Sequence, residues 1–286
     1  MIAIVCGLGA ACMWATTALL SGRSSRLIGA ASTLAWIMLI GSLAGAPLAL
    51  ASGPLPSITP QLAFWLVGSS VGGVVGLLLV FRGMKIGKIG VVAALSSTEG
   101  AIAAVLAVIA GERLSVPVAL MLCVIAVGIA VVALSSDGTA AHAGSLPGDE
   151  RKAVAYGSAA ALFFGLSIYS SAQLGGSLAP FAAVMPARLL GVAVVTLPLA
   201  LTGRLRLTRR AAPMVVAMGA AELFGNAVYV VGAQQSIAVA AVLASQFGAV
   251  ATVIAFLVFG ERLSRMQRGG VVTIFVGIAL LTVFRT

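Results

Sequence analysis

Charged side chains are scarce in this chain of 286 residues: 8% are Asp, Glu, Lys or Arg, whereas soluble domains have about 25%. A chain of this length with so few charges cannot cover its surface in water, and the mean hydropathy of +1.17 agrees. The composition therefore excludes a soluble globular protein and predicts an all-α integral membrane protein in a lipid bilayer.

Histidine and cysteine are nearly absent as well, with one His and three Cys. Cys6, Cys12 and Cys123 lie singly inside apolar runs, without the spacing of a metal site or disulfide framework. His142 lies in a polar linker, and no HExxH, GxSxG or paired-acid pattern of a membrane enzyme is present. We therefore expect no metal, no cofactor and no enzymatic activity.

Acidic residues are the rarer charge, 7 against 17 basic ones, which gives a net charge of +10. In a soluble protein this excess would suggest a nucleic-acid partner. Here the basic residues lie in short gaps between apolar runs, where they set the orientation of a membrane protein. We expect no nucleic-acid binding.

Ten apolar runs are long enough to cross a bilayer, since a spanning helix needs about 20 residues. The first lacks the basic start of a signal peptide and is counted as a helix. A polar stretch, 136–152, separates a first repeat, 1–135, from a second, 153–286. The helices are predicted at 2–21, 30–50, 61–82, 89–110, 116–135, 153–174, 180–202, 212–234, 237–259 and 267–284.

The two halves share a motif, which indicates an internal duplication. Gly111–Ser115 (GERLS) returns as Gly260–Ser264, an offset of 149 residues (260 minus 111). Val127–Ala130 returns as Val276–Ala279 at the same offset. A chance pentapeptide would not carry its downstream spacing with it.

Five helices per repeat is an odd number, so the second copy must be inverted in the membrane. The basic residues agree, because they concentrate in the loops of one side, which we call the basic face. The opposite, non-basic face holds the loops 51–60, 110–115, 175–179 and 235–236. The positive-inside rule places the basic face in the cytoplasm and both termini outside. The basic-face residues are Arg23, Arg26, Arg82, Lys85, Lys88, Arg151, Lys152, Arg204, Arg206, Arg209, Arg210, Arg262, Arg265 and Arg268.

Two inverted five-helix repeats, each with a Gly-Glu-Arg turn before its last helix, resemble the EamA family of the drug/metabolite transporter superfamily. The turns Gly111-Glu112 and Gly260-Glu261 are the most specific marks, followed by the aromatic first helices with Trp14 and Phe164. The resemblance implies ten helices around a central cavity in the bacterial inner membrane, as a monomer or weak homo-oligomer. It also implies secondary transport of small metabolites, often amino-acid export. One departure is that family members commonly have a basic N-terminus, which this chain lacks.

Glu99 is the first candidate for the transport site. Ionisable groups deep in a membrane cost about 2.5–3.5 kcal/mol on insertion scales and are functional candidates by default. Glu99 lies near the middle of the fourth run, after Ser96, and the offset makes Gly248 its counterpart. Burial favours its neutral form, which suits a group that binds and releases a proton. The alternative is a purely structural hydrogen bond.

A second group of polar residues lies on the eighth and seventh runs. Glu222, Asn226 and Tyr229 share one helix face, and Arg188 lies near the middle of the seventh run. Arg188 either forms a structural ion pair with Glu222 or holds a substrate carboxylate with its fork of donors. The sequence leaves both options open.

Further residues complete a predicted cavity wall with Glu99 and Arg188. For each aromatic among them, lipid contact or helix packing is the alternative. A multidrug exporter of organic cations and a passive facilitator are the alternatives to a proton-coupled amino-acid exporter. The wall residues are Trp14 and Thr17 on the first run, Trp36 on the second, Ser96 on the fourth, Phe164 and Ser167 on the sixth, and Gln246 on the ninth.

Two features have structural interpretations. Gly68, Gly72 and Gly76 repeat every four residues and predict a close-packing helix face. The GERLS turns predict capping, with the glycine ending one helix and Ser115 or Ser264 starting the next.

Overall fold

The computed structural model describes residues 1–54, 56–86, 92, 95–134, 147–259 and 265–284. The protein is 84% helix, and these residues contain no strand. The reason is physical, because a segment inside lipid satisfies its backbone hydrogen bonds within itself only as a helix or in a closed barrel.

Twelve α-helices are placed in the described ranges. A π-helical turn, Val192–Thr196, joins the seventh to the eighth. The helices are α1 Ile2–Ile28, α2 Ala30–Ala51, α3 Pro60–Ile86, α4 Glu99–Ile109, α5 Val116–Leu134, α6 Pro147–Leu174, α7 Pro180–Gly191, α8 Leu197–Leu201, α9 Ala212–Ala233, α10 Ile237–Ala244, α11 Phe247–Phe259 and α12 Arg265–Phe284.

Six helical segments of the described chain have the length and apolar composition needed to cross a bilayer. Three shorter apolar helices, Glu99–Ile109, Val116–Gly128 and Ile237–Ala251, accompany them. The six long segments are Ile2–Ile28, Ala30–Ala51, Pro60–Val80, Arg151–Leu174, Pro180–Leu201 and Ala212–Ala233.

Helices extend beyond their predicted bounds at the basic face, and α3 is one of them, since it was predicted to end at 82 and continues to Ile86. The first was predicted to end at 21 but continues to Ile28, where Gly29 stops it with a φ of 85°. The sixth was predicted from 153 but begins at Pro147, inside the predicted linker. Hydropathy marks only the apolar span, whereas Arg and Lys are good helix formers that prolong a helix into the interface.

The predictions of unbroken helices at 89–110 and 237–259 are wrong. The chain makes a turn at Ser97–Thr98 and another at Ser245–Gln246, each near the middle of its span. The Thr98 hydroxyl donates to Leu95 O at 2.7 Å, and the Ser245 hydroxyl to Val242 O at 2.9 Å. Such bonds to the preceding turn compete with the helix ladder.

The two breaks correct the alignment of the repeats. Helix resumes at Glu99 in the first repeat and at Phe247 in the second, so Phe247, not Gly248, is the structural counterpart of Glu99. From these residues to the GERLS glycine the second repeat is one residue longer than the first. A single offset of 149 therefore cannot hold on both sides of the breaks.

The predicted close-packing face on α3 is confirmed. A Cβ at Gly68 would lie 2.5 Å from Ser170 Oγ, and one at Gly72 would lie 2.7 Å from Phe163 O. One at Gly76 would lie 2.6 Å from the Phe164 ring. All three glycines face α6, so the absence of side chains lets these two helices touch along their length.

The last helices of the two repeats pack reciprocally. A Cβ at Gly128 of α5 would lie 2.7 Å from the side chain of Ile274, and one at Gly277 of α12 would lie 2.6 Å from that of Ile125. Gly277 is the repeat equivalent of Gly128, and Ile274 is the repeat equivalent of Ile125. A contact in which each side uses the same residues is the mark of a two-fold relation.

Loops predicted to share a face contact one another on that face. On the non-basic face Gln234 Nε2 donates to Gly175 O at 3.1 Å, which joins the loops before α7 and α10. On the basic face the Arg206 backbone N–H donates to Ser32 Oγ at 3.1 Å, which joins the loop before α9 to α2. In both cases the two segments in contact are ones that the charge pattern predicts to lie on the same side.

The α3–α6 contact predicts a difference between two glycine substitutions. Gly72→Ala forces a methyl group against the backbone of α6, and overpacking of this kind costs about 1–3 kcal/mol. Gly22→Ala lies in α1 with nothing within 4 Å of the new methyl group, and alanine is favoured over glycine in a helix by about 0.5–1 kcal/mol. We expect a lower melting temperature in detergent for Gly72→Ala only. Equal melting of both variants would contradict the packing.

Candidate functional site

The two helix breaks meet at the centre of the protein. A Cβ at Gly100 of α4 would lie 2.5 Å from Ser245 Oγ and would also clash with Ala241 O. On its other side, α4 packs on α6, where a Cβ at Gly165 would lie 3.1 Å from Glu99 O. Small residues thus bring α4, α6 and α10 together around Glu99.

Glu99 is buried, with 8% of its surface exposed. No residue in the described ranges makes a hydrogen bond or ion pair with its carboxylate. The Glu222 carboxylate lies close enough to act on Glu99 electrostatically. Glu99 is therefore a buried acid without a counter-charge among the described residues.

Arg188 and Glu222 form an ion pair, which answers the question that the sequence left open. Arg188 Nη2 donates to Glu222 Oε2 at 3.2 Å and to Glu222 O at 3.0 Å. Asn226 Nδ2 donates to the same carbonyl at 2.6 Å and to Oε2 at 3.3 Å. Arg188 is only 4% exposed, and its stem packs on Gly41 of α2. Its charge is thus already neutralised inside the protein.

Three aromatic rings line the space between α1, α9 and α11. The Trp14 ring centre lies 6.1 Å from that of Tyr229 and 6.3 Å from that of Phe247. The Tyr229 hydroxyl donates to Ile168 O at 3.2 Å, which ties α9 to α6. This cluster is the apolar wall of the candidate site.

Several polar atoms near these rings have no partner among the described residues. They include Trp14 Nε1, Thr17 Oγ1 and Gln246 Oε1, all buried. Gln246 Nε2 donates to Val242 O at 3.0 Å, which fixes the amide orientation and leaves Oε1 as the unpaired atom. A buried polar atom without a partner is costly, and functional sites are where such atoms are found.

Three predicted wall residues lie apart from this cluster. Phe164 and Ser167 face α3, where Phe164 packs on Gly76 and Ser167 Oγ donates to Ser69 O at 2.6 Å. Trp36 Nε1 donates to Arg206 O at 2.9 Å, at the basic face. Helical spacing predicts which residues share one face of a helix. It does not predict which neighbouring helix that face contacts.

Ser96 lies in the last helical turn before the first break, next to the site. Phe247 was missed by the sequence analysis because one aromatic in an apolar run is unremarkable there. The Ser245-Gln246 pair before it is polar, but polar pairs are also tolerated in unbroken helices, so no signal in this run singled out Phe247.

Glu112 of the first GERLS turn caps a helix of the other repeat. Its carboxylate accepts the Ser236 hydroxyl at 2.5 Å and the backbone N–H groups of Ile237 and Ala238 at 3.1 and 3.2 Å. Gly111 ends the preceding helix with a φ of 101°. A capping role was predicted for the turn, but not that it crosses between repeats. The second copy, 260–264, lies outside the described residues.

The Arg188–Glu222 pair predicts a non-additive set of variants. Glu222→Gln leaves the Arg188 charge buried without a counter-charge, which costs about 3 kcal/mol. Adding Arg188→Met removes that charge, so the double variant should melt above Glu222→Gln alone. Melting in detergent of the wild type, both single variants and the double variant measures the coupling. Losses that simply add would show that the two side chains act independently.

The Glu112 cap predicts a loss specific to that carboxylate. Glu112→Gln removes charge-assisted bonds to the first turn of α10 and should cost about 1–2 kcal/mol. Arg113→Gln is the matched control, because Arg113 is the exposed neighbour on the same turn. Hydrogen exchange of the 237–244 amides should rise in Glu112→Gln and not in Arg113→Gln. Unchanged exchange in both would contradict the cap.

Comparisons with known proteins agree with this architecture. One crystal structure of a protein matches this chain with a TM-score of 0.79 and 18% sequence identity. The match covers 99% of this chain and 96% of the other chain. It is one of 28 solved chains that match, and at this identity the likeness shows a shared fold. No curated protein matches. A model of the EamA-like transporter family matches residues 1–134. Residues 1–134 therefore match the EamA-like transporter family, part of the drug/metabolite transporter superfamily, and the chain is a multi-pass membrane protein.

Proposed function

We propose that the protein is a secondary transporter that moves small metabolites, amino acids first among them, out of the cell by alternating access. In this proposal ten membrane spans form two inverted repeats, 1–135 and 153–286, around a site in mid-membrane. Protons drive the flux through Glu99.

The inverted-repeat arrangement is supported by matching contacts in the two halves. A Cβ at Gly7 of α1 would lie 2.8 Å from the Leu243 side chain in α10. Gly157 stands seven residues before Phe164, as Gly7 stands seven before Trp14, and a Cβ at Gly157 would lie 3.1 Å from the Leu95 side chain just before the first break. Inverted repeats let a transporter exchange the conformations of its two halves and so open to either side.

The observation that carries the proposal is the buried Glu99 carboxylate at the first break. Arg188 is occupied by Glu222 at 3.2 Å, so no described cation balances Glu99. A proton or a positively charged substrate group can neutralise it, and competition between the two couples their movements. A group that has no structural partner is free to exchange one ligand for the other.

The Arg188–Glu222 pair also bears on the substrate. A carboxylate at Arg188 would have to displace Glu222, whereas an ammonium group at Glu99 displaces no described partner. This favours substrates with an amino group, which include amino acids and organic amines. Organic cations without a carboxylate are the second candidate class.

Flux into proteoliposomes tests the proposal. Wild-type protein should accumulate an amino acid or amine from a metabolite panel against its gradient when a pH gradient is imposed. Glu99→Gln, which has nearly the same shape but cannot ionise, should abolish uphill accumulation and the pH dependence of exchange. Glu99→Asp is the control, since it keeps an ionisable group and should keep the pH dependence.

Each alternative gives a different result. A passive facilitator would equilibrate the substrate without responding to the imposed pH gradient. An unaltered pH profile in Glu99→Gln would remove Glu99 from the coupling role. Flux of organic cations without flux of any amino acid would replace the amino-acid assignment by the second class.

A further inference from the structure

Six arginine side chains lie on one area of the basic face, which we call the arginine surface. Two come from the last turns of α1, and four come from the loop that joins α8 to α9. All six residues are exposed, and none of their guanidinium groups has a hydrogen-bond or ion-pair partner in the described part of the chain. The arginine surface consists of Arg23, Arg26, Arg204, Arg206, Arg209 and Arg210.

Buried apolar residues beneath the arginine surface bring its two parts together. Ile28, the last residue of α1, belongs to the same packed cluster as Ala211 and Val215, which lie at the start of α9. Arg26 stands two residues before Ile28, and Arg210 directly precedes Ala211. The end of α1 and the loop before α9 therefore contribute to one patch of positive charge.

The loop of the arginine surface is bound to the side of α2. The Arg206 N–H donates to Ser32 Oγ at 3.1 Å, and Trp36 Nε1 donates to Arg206 O at 2.9 Å. The Ser32 hydroxyl donates in turn to Arg204 O at 3.4 Å. Ser32 and Trp36 stand four residues apart on α2, so the loop backbone follows the helix for about one turn. A backbone fixed in this way loses less entropy when its arginines bind a ligand.

No acidic residue near these arginines in the sequence offsets their charge. The chain contains no Asp or Glu in residues 1–98 or in residues 151–221, and these two stretches include the whole arginine surface. Positive charges gathered on one surface repel one another and create a field that attracts anions. The arginine surface therefore favours an anion from outside the chain.

Exposed leucines lie among these arginines. Leu27 is 41% exposed and Leu207 is 45% exposed, and each directly follows an arginine. Apolar and cationic side chains next to each other at the ends of membrane-crossing helices match a phospholipid, whose acyl chains and phosphate meet at this level. An acidic soluble protein would satisfy the arginines but would leave the leucines in water.

We propose that the arginine surface binds the headgroup phosphate of anionic phospholipids, with the acyl chains against the exposed leucines. Guanidinium groups suit this ligand, because their planar fork of donors matches the geometry of phosphate oxygens. Phosphatidylethanolamine also carries an ammonium group, which the arginines repel, so it binds more weakly than an anionic lipid. This lipid binding is separate from the transport site, because none of the six arginines lies at a helix break.

Native mass spectrometry of the delipidated full-length protein in detergent tests the proposal. The probes are dioleoyl phosphatidylglycerol and dioleoyl phosphatidylethanolamine, which have the same acyl chains, and the wild type should bind phosphatidylglycerol more tightly. A basic residue near an anionic membrane surface is worth a factor of about five in binding. A triple variant with Arg206→Gln, Arg209→Gln and Arg210→Gln should therefore bind phosphatidylglycerol at least about tenfold more weakly. Its binding of phosphatidylethanolamine should not change.

A variant with the same loss of charge elsewhere is the matched control. Arg82→Gln, Arg113→Gln and Arg151→Gln together remove three exposed arginines outside the arginine surface. This control should bind phosphatidylglycerol as the wild type does. If the loop variant does not fold, Arg23→Gln combined with Arg26→Gln replaces it, because these residues lie on α1 and leave the loop unchanged. That pair should weaken phosphatidylglycerol binding by at least about fivefold.

The outcomes separate a lipid surface from a general effect of charge. Equal losses in the two triple variants would show that net charge alone decides binding and would overturn the proposal. Equal binding of the two lipids by the wild type would overturn it as well. Millimolar inorganic phosphate should not displace phosphatidylglycerol, because it has no acyl chains, and full displacement would indicate a plain anion site instead. A loss confined to the arginine surface and to the anionic lipid supports the proposal.

Discussion

The rest of the structure depends on one constraint, that polar groups within lipid find their partners inside the protein. Most do so by contact between helices. Ser167 reaches the backbone of α3, Tyr229 reaches the backbone of α6, and Arg188 reaches both the side chain and the carbonyl of Glu222. Against this background the few groups left without partners are informative. Among the described residues they include Trp14 Nε1 and Thr17 Oγ1 on α1 and Gln246 Oε1 at the second break, whereas Ser42, Ser170 and Arg188 Nε lie elsewhere in the bundle.

In the proposed duplication each repeat contributes one break, and the two breaks meet because equivalent helices face each other. The difference between the breaks would let such a scaffold bind the two ends of a substrate differently. Glycine contacts such as Gly128 on Ile274 and Gly277 on Ile125 keep the halves in a two-fold relation. Within that frame Glu99 and Phe247 occupy equivalent places but share no chemistry. Rocking of one repeat against the other would expose the same pair of helix starts to either face in turn. The Glu112 cap joins the first GERLS turn to the start of α10 at the non-basic face.

Much of the fold could be predicted because hydropathy, charge and internal repetition are local or periodic signals. The apolar runs located the six described segments that are long enough to cross a bilayer, and the spacing of Gly68, Gly72 and Gly76 gave the α3 packing face. The breaks at Ser97–Thr98 and Ser245–Gln246 could not be predicted from composition, because hydroxyl residues are also tolerated in unbroken helices. The pairing of Arg188 with Glu222 depends on how α7 crosses α9 beside Gly41, and a single sequence does not specify that crossing. For the same reason Phe164 and Ser167, although correctly placed on one face, meet α3 rather than the rings around Trp14.

Access to the second break from both faces tests the central claim most directly. Gln246 is only 1% exposed in this conformation, so a cysteine at that position reports any opening. In a variant without Cys6, Cys12 and Cys123, a membrane-impermeant maleimide would be applied to right-side-out and to inside-out vesicles carrying Gln246→Cys. The account predicts labelling from either face, slowed by a transported substrate. Labelling from one face only, or from neither, would contradict an alternating-access site at the helix breaks.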